Sequence, residues 1–108
     1  MSMYSFHGRG TLNGTIPHPA LVALFDGSAA DAGLPLQRSV HIGALTDSAY
    51  VQLVGQGVAA IDLGFPTRYT HSSLEVCDLA DLEGLTRLLV AGIRRIDANF
   101  SLDRDGFD

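Results

Sequence analysis

A short polar stretch, residues 65–75 (FPTRYTHSSLE), contains the side chains of this sequence best suited to catalysis or ligand binding. It places Arg68, Tyr69 and His71 directly after an apolar run, residues 58–64, that predicts a buried strand. An imidazole can act as an acid, a base or a metal ligand, and open α/β sheets bind ligands beyond the carboxyl ends of their strands. The alternative interpretation is a polar loop that only caps a sheet.

Other common catalytic patterns are missing from the sequence. The four histidines, at positions 7, 18, 41 and 71, lack the spacing of a metal site, and no H-E-x-x-H or paired-Cys motif occurs. Ser72 and Ser73 adjoin His71 without a G-x-S-x-G elbow, and sequence neighbours rarely form a triad. Asp47 is interpreted first as a helix cap, and Glu75 as a solvated or paired strand residue.

The elements that must position this stretch alternate between strands and helices. Strands are predicted over residues 3–8, 36–42, 58–64 and 74–77, and helices over residues 19–32, 48–56 and 79–99. Such alternation implies crossover connections and an α/β fold, a small mostly parallel sheet with helices on both faces. Parallel strands should be covered and flanked by others. Three or four strands therefore suggest a fragment of a larger catalytic domain.

Capping residues mark where the predicted helices begin and end. Pro19 suits the first turn of the first helix, and Gly33 ends that helix. Thr46 or Asp47 caps the second helix, and Asp78 caps the third. The third helix has apolar residues at helical spacing, which predict a stripe that faces the core: Leu82, Leu85, Leu88, Leu89, Ile93 and Ile96.

Composition narrows the class of protein. The chain has 108 residues, is 46% hydrophobic and carries a net charge of −5, which fits one domain over residues 1–108 with a frayed polar tail at residues 100–108. The absence of a basic cluster argues against nucleic acid and membrane surfaces as partners. The single Cys77 cannot form an internal disulfide, which favours a reducing, cytoplasmic setting.

Four segments resemble, in order, motifs of one known family. They are residues 34–37 (LPLQ), 44–49 (ALTDSA), 57–59 (GVA) and 66–75 (PTRYTHSSLE). This series is similar to the C-terminal third of the glutamyl and deblocking aminopeptidases, which are tetrahedral, dinuclear metallopeptidases sometimes described as endoglucanases. The family patterns there are G-I-P-x-Q, G-G-T-D-A, G-V-P-x-x-x-I and P-x-R-Y-x-H-S-x-x-E. Ala44-Leu45 departs from the two glycines of the second pattern.

The resemblance implies roles for four residues. His71 matches the family's last metal ligand, which binds one of two Zn or Co ions. Arg68 and Tyr69 match motif positions that shape the site, and Asp47 matches an acidic residue close to it with no specified role. The implied activity is the hydrolysis of N-terminal residues from peptides, so the implied partner is a peptide substrate.

The family's remaining ligands have no counterpart in the sequence. An H-x-D motif, a bridging Asp and a Glu-Glu pair that supplies the general base are all missing. The chain thus contains no catalytic residue by resemblance, and we expect it to be inactive alone and to bind little or no metal. It is interpreted as the C-terminal segment of a metallo-aminopeptidase or as a truncated relative. The alternative is a degenerate domain that acts as a binding or assembly module.

Two structural expectations follow from these interpretations. His71 should be partly exposed, in a concavity at the strand ends, with Asp47 as the nearest candidate to orient its ring. An incomplete parallel sheet leaves a strand edge and an apolar helix face uncovered. We therefore expect the chain to form homo-oligomers or to associate with the missing N-terminal part.

Overall fold

Two small sheets and three helices form the structure, a computed structural model that describes residues 1–7 and 14–103. The elements, in chain order, are β1 (Ser2–His7), α1 (Pro19–Ala32), β2 (Gln37–Ile42), α2 (Ser48–Val51), β3 (Asp62–Gly64), β4 (Thr67–Arg68), β5 (Val76–Cys77) and α3 (Leu79–Arg94). The α/β class predicted from the sequence is confirmed. The end of the first predicted strand, at Gly8, and most of the predicted frayed tail, residues 104–108, lie outside the described residues.

The main sheet has the strand order β2-β1-β3. β1 and β2 run parallel, as predicted, with Tyr4 opposite Ser39, whereas β3 pairs antiparallel to β1, with Tyr4 opposite Asp62. The connection from β2 to β3 explains this direction. Its helix α2 has only four residues and cannot carry the chain back along the sheet, as a parallel crossover requires. The chain therefore enters β3 at the end of the sheet where it left β2.

Glycine-supported turns account for the short second helix, which was predicted to continue to residue 56. The chain turns over residues 52–57, where Gly55 and Gly57 have φ values of 61° and 104°. These conformations suit glycine and interrupt a helix. The Gln52 side chain closes the helix, since its Nε2 donates to the Ala49 carbonyl and its Oε1 accepts from the Ile16 amide at 3.0 Å.

The strand predicted over residues 58–64 is shorter in the structure. Only Asp62, Leu63 and Gly64 pair as β3, and all three are half-buried. The preceding residues bond differently, since the Ala60 carbonyl accepts from the His18 amide at 3.0 Å. Val58 is 45% exposed. The apolar run is thus partly a connecting segment that packs beside α1.

The caps of α1 agree with the sequence prediction. Pro19 occupies the first turn, and Gly33 ends the helix with a φ of 67°. The buried His18 is the N-cap, because its Nδ1 accepts from the Ala20 amide at 3.1 Å. Since Nδ1 is the acceptor, Nε2 carries the proton and donates to the Leu102 carbonyl at 3.0 Å. This imidazole therefore joins α1 to the segment after α3.

The core lies between the sheet and the paired helices α1 and α3. Met3 of β1, Phe25 and Ala29 of α1, and the fully buried Leu88 of α3 form its centre. Ser48 of α2 lies toward the other side of the sheet, because it bonds Asp62, which alternates with the core-facing Leu63.

The predicted stripe on α3 is only partly correct. Asp78 caps the helix as predicted, with its Oδ1 2.8 Å from the Ala80 amide, but the helix ends at Arg94 rather than near residue 99. Leu89, Ile93 and Ile96 are exposed by 38%, 62% and 45%. The helices pack closely at a glycine instead, because a Cβ on Gly92 would overlap Cε1 of Phe25. The buried face of α3 is therefore centred on Gly84, Leu88 and Gly92, with Gly92 against Phe25 of α1 and Gly84 against Met1.

The sheet face turned away from the core carries an aromatic cluster. Tyr4 and Phe6 share this face, with ring centroids 5.4 Å apart. The His41 ring of β2 lies 5.3 Å from Tyr4 and 5.2 Å from Phe6. Within residues 1–7 and 14–103, none of the helices combines the length and the hydropathy that a bilayer span requires.

Candidate functional site

An exposed hairpin carries the motif residues Arg68, Tyr69 and His71. Its strands β4 and β5 pair antiparallel, with Thr67 opposite Cys77 and Arg68 opposite Val76. The intervening loop, residues 69–75, is exposed throughout. Arg68 is thus at the base of the loop, and His71 lies within it. The three residues therefore lie on one hairpin, whose first strand β4 was not predicted from the sequence.

The loop has an unusual backbone conformation. Tyr69 and His71 both have a φ of 62°, a left-handed conformation that non-glycine residues seldom adopt and that costs about 1–3 kcal/mol each. Such conformations persist where neighbouring contacts determine them, and they are frequent at functional sites.

Hydrogen bonds within the loop hold this conformation. The Glu75 carboxylate accepts from the His71 amide at 2.7 Å. The Ser72 hydroxyl bonds the Leu74 carbonyl at 2.9 Å and also the Tyr69 carbonyl. The Ser72 amide donates to the Tyr69 carbonyl at 3.2 Å. Glu75 is thus exposed and paired with the backbone of the candidate ligand. This agrees with the predicted solvated or paired residue, although Glu75 lies just before β5 and not within it.

The His71 side chain is available to a ligand. His71 is exposed, and no residue in the described part of the chain forms a hydrogen bond with its imidazole. Arg68 and Tyr69 are exposed as well, Tyr69 by 64%. A cleft of about 360 Å³ lies at the base of the hairpin, between both strands and the start of α3, and it is lined by Pro66, Thr67, Arg68, Val76, Cys77, Asp78 and Asp81.

Asp47 occupies the N-cap position of α2, but its side chain does not cap the helix. Its backbone is helical, with φ −60° and ψ −23°, and its carboxylate forms no capping hydrogen bond. Only its carbonyl joins the helix, by accepting from the amides of Tyr50 and Val51 at 3.0 and 2.9 Å. The carboxylate is exposed and remains available for another interaction.

Asp62 is a structurally important residue that sequence reasoning missed. Its carboxylate accepts from the hydroxyl of Ser48 at 2.6 Å and from that of Thr46 at 3.0 Å. Because Thr46 and Ser48 flank Asp47, these bonds fix the turn that presents the Asp47 carboxylate. The available signal was a single acidic residue within the apolar run 58–64, since a half-buried carboxylate needs hydrogen-bond donors.

The turn at Asp47 and the loop at His71 are separate features within the described residues. No hydrogen bond or ion pair joins the two side chains there. The expectation of a shared edge assumed parallel strands, whereas β3 is antiparallel. The chain therefore leaves β3 toward the hairpin from the opposite end of the sheet. In the same described part, no three His, Cys, Asp or Glu residues form a group that could hold a metal ion.

Residues 9–88 match the family model described as M42 glutamyl aminopeptidase. The chain belongs to this family. The match includes every motif residue considered above, from Asp47 to Glu75. A relative, SgcX of Escherichia coli (strain K12), is described as a candidate aminopeptidase and is 39% identical over 101 residues. That alignment covers 94% of this M42 chain and 27% of SgcX.

Solved structures of aminopeptidases share the fold of this M42 chain. Aminopeptidase APDkam598 from the archaeon Desulfurococcus kamchatkensis aligns with a TM-score of 0.77 and 33% identity, over 88% of this chain and 26% of its own. The TET aminopeptidase from the marine sediment archaeon Thaumarchaeota archaeon SCGC AB-539-E09 aligns with a TM-score of 0.78 and 27% identity, over 99% and 28%. The chain therefore spans about a quarter of the length of these relatives.

Proposed function

We propose that this chain supplies one metal ligand, His71, to a metal-dependent aminopeptidase that removes N-terminal residues from peptides. The observation that carries the proposal is that the motif PTRYTHSSLE forms one exposed hairpin loop, in which the His71 imidazole is open to solvent. Membership of the M42 family supports the class of reaction. The activity belongs to an assembly in which other polypeptide segments complete the site.

The donor set of the chain fits a partial metal site. An imidazole is a common ligand for Zn and Co ions, and the His71 imidazole has no competing hydrogen bond among the described residues. A catalytic zinc site uses about three protein ligands. We therefore assign the remaining ligands of two divalent ions, and the general base, to a segment outside this chain. When bound, such ions polarise a carbonyl and activate water for attack.

The remaining motif residues would act around His71 and not on the substrate bond. The backbone of Arg68 is fixed by pairing with Val76, so its side chain leaves the hairpin at the base of the His71 loop. Tyr69 adds an exposed phenol beside it. Asp47 is presented by a turn that Asp62 holds, and in the assembly it would approach the site from another direction.

A chimera tests the proposal. The matching 27% of SgcX is replaced by this chain, and hydrolysis of aminoacyl-nitroanilides is measured with added Zn or Co. We expect activity that His71→Ala lowers by more than about 100-fold, the upper limit for loss of a residue that only orients a ligand. His41→Ala is the matched control on β2 and should retain activity. Equal activity of the two variants would refute the assignment of His71.

A binding or assembly module is the second candidate function, and exposed apolar side chains favour it. Leu53, Val54 and Tyr50 near α2 are exposed by 72%, 61% and 58%, and Leu79 at the start of α3 by 77%. Surfaces of this kind mark sites of protein association.

A net charge of −5 disfavours nucleic acid and anionic membranes as partners. The lone Cys77 is the reason to propose a reducing, cytoplasmic setting.

Self-association of the isolated chain is expected at the edge strand β2. Its outer edge is unpaired within the described residues, and Val40 and Ile42 are 68% and 73% exposed. Exposed apolar edges pair with other chains. Sedimentation at rising concentration should show dimers or larger species, and Val40→Lys should weaken them more than Gln37→Lys on the same strand. A clean monomer at high concentration would contradict this prediction.

A further inference from the structure

The Glu75 carboxylate forms a hydrogen bond with the backbone of His71, the candidate metal ligand. Its Oε1 accepts from the backbone amide of His71 at 2.7 Å. We propose that Glu75 is a positioning residue that holds His71 in its left-handed conformation and so sets the direction of the imidazole. This inference rests on the proposed role of His71 as a metal ligand.

The direction of the imidazole depends on the backbone of His71. At a φ of 62° the Cβ leaves the chain in a direction that a residue with negative φ does not reproduce. A histidine has no intrinsic preference for this conformation over the right-handed and extended ones. Some contact must therefore select it, and a charge-assisted hydrogen bond to the His71 amide is suited to do so.

The backbone of Glu75 is fixed at the end of the loop, next to strand β5. It directly precedes Val76, whose pairing with Arg68 closes the hairpin. The structure shows no cation paired with Glu75 among the described residues, so the His71 amide is the partner that its carboxylate has there. The Ser72 hydroxyl binds the carbonyls of Tyr69 and Leu74, which stabilises the turn without contacting His71. Glu75 is therefore the residue whose side chain stabilises the backbone conformation of His71.

Amide hydrogen exchange and the coupling between the amide and α protons of His71 test the contact in the full chain. Loss of a charge-assisted bond should speed exchange of the His71 amide about 10-fold in Glu75→Ala and change the coupling that reports φ. Glu75→Gln keeps an acceptor oxygen without the charge and should reverse most of both changes. Glu83→Ala on α3 is a matched loss of an exposed carboxylate and should change neither. Unchanged exchange and coupling in Glu75→Ala would overturn the proposal.

Metal affinity of the SgcX chimera separates this inference from the proposed function. Glu75→Ala should weaken Co binding about 10- to 100-fold, the usual effect of removing a group that orients a ligand, and Glu75→Gln should recover most of that loss. If His71→Ala weakens Co binding and Glu75→Ala does not, the positioning role is overturned while the proposed function stands. If neither variant weakens it, both are overturned.

Discussion

The isolated chain should hydrolyse aminoacyl-nitroanilides no faster than buffer does, even with Zn or Co added. A dinuclear site needs several carboxylates and imidazoles to hold two cations and activate water, whereas His71 is the one ligand that the family motif assigns to this chain. The sequence has no Glu-Glu pair and no H-x-D motif. The expected difference in rate between the isolated chain and an active enzyme is large, because typical enzymes turn over about 1–10³ times per second.

The measurement compares the isolated chain with the SgcX chimera at equal concentration. The chimera controls for substrate, metal and buffer, so the difference between the two proteins reports the ligands that SgcX supplies. Turnover by the isolated chain at about 1 per second or more would contradict the prediction and would require a catalytic group that the family motifs do not identify.

Leu88→Ala should destabilise the fold more than other truncations on α3. Leu88 is 0% exposed and lies in the core with Met3, Phe25 and Ala29. Replacement of a buried leucine by alanine removes apolar contact and leaves a cavity, which typically costs about 2–5 kcal/mol. That loss is a large part of the stability of a domain of this size. Urea unfolding followed by circular dichroism measures it.

Leu79→Ala is the matched control for Leu88→Ala. It makes the same chemical change on the same helix, at a residue that is 77% exposed, and should change the free energy of unfolding by less than about 0.5 kcal/mol. Equal losses in the two variants would show that α3 does not pack on α1 through Leu88. A changed slope of the urea transition would instead indicate a change in the surface exposed on unfolding or a transition that is not two-state.

Local sequence signals predicted the helix boundaries that depend on a single residue. The first-turn Pro19, the cap at Asp78 and the stop at Gly33 could be predicted, because each acts through its own backbone or side chain. The period of two along a strand likewise accounts for the position of Tyr4 and Phe6 on one face of the sheet.

Features that depend on distant contacts could not be predicted in this way. The antiparallel direction of β3 follows from the four-residue α2, whose length is limited by turns at Gly55 and Gly57 and by the contact of Gln52 with the segment at Ile16. The exposure of Ile93 was missed because helical periodicity shows which residues share a face, not whether another element covers that face.

Some features of the candidate site could likewise be predicted from the sequence, and others required the structure. A family motif identified His71, Arg68 and Tyr69 as neighbours, and the hairpin places them together. The left-handed backbone of His71 could not be predicted, because a positive φ is expected from sequence mainly at glycine. The hydrogen bond from its amide to Glu75 depends on that conformation. The bonds from Thr46 and Ser48 to Asp62 also required the fold, since the partners are 16 and 14 residues apart.

The metal content of the purified chimera tests the central claim most directly. If His71 is the ligand that this chain contributes to a two-metal site, elemental analysis should find about two ions per subunit in the parent chimera. His71→Ala should lose at least one of them, while His41→Ala retains both. An unchanged metal content in His71→Ala would contradict the account, because the proposed function of the chain rests on that single imidazole.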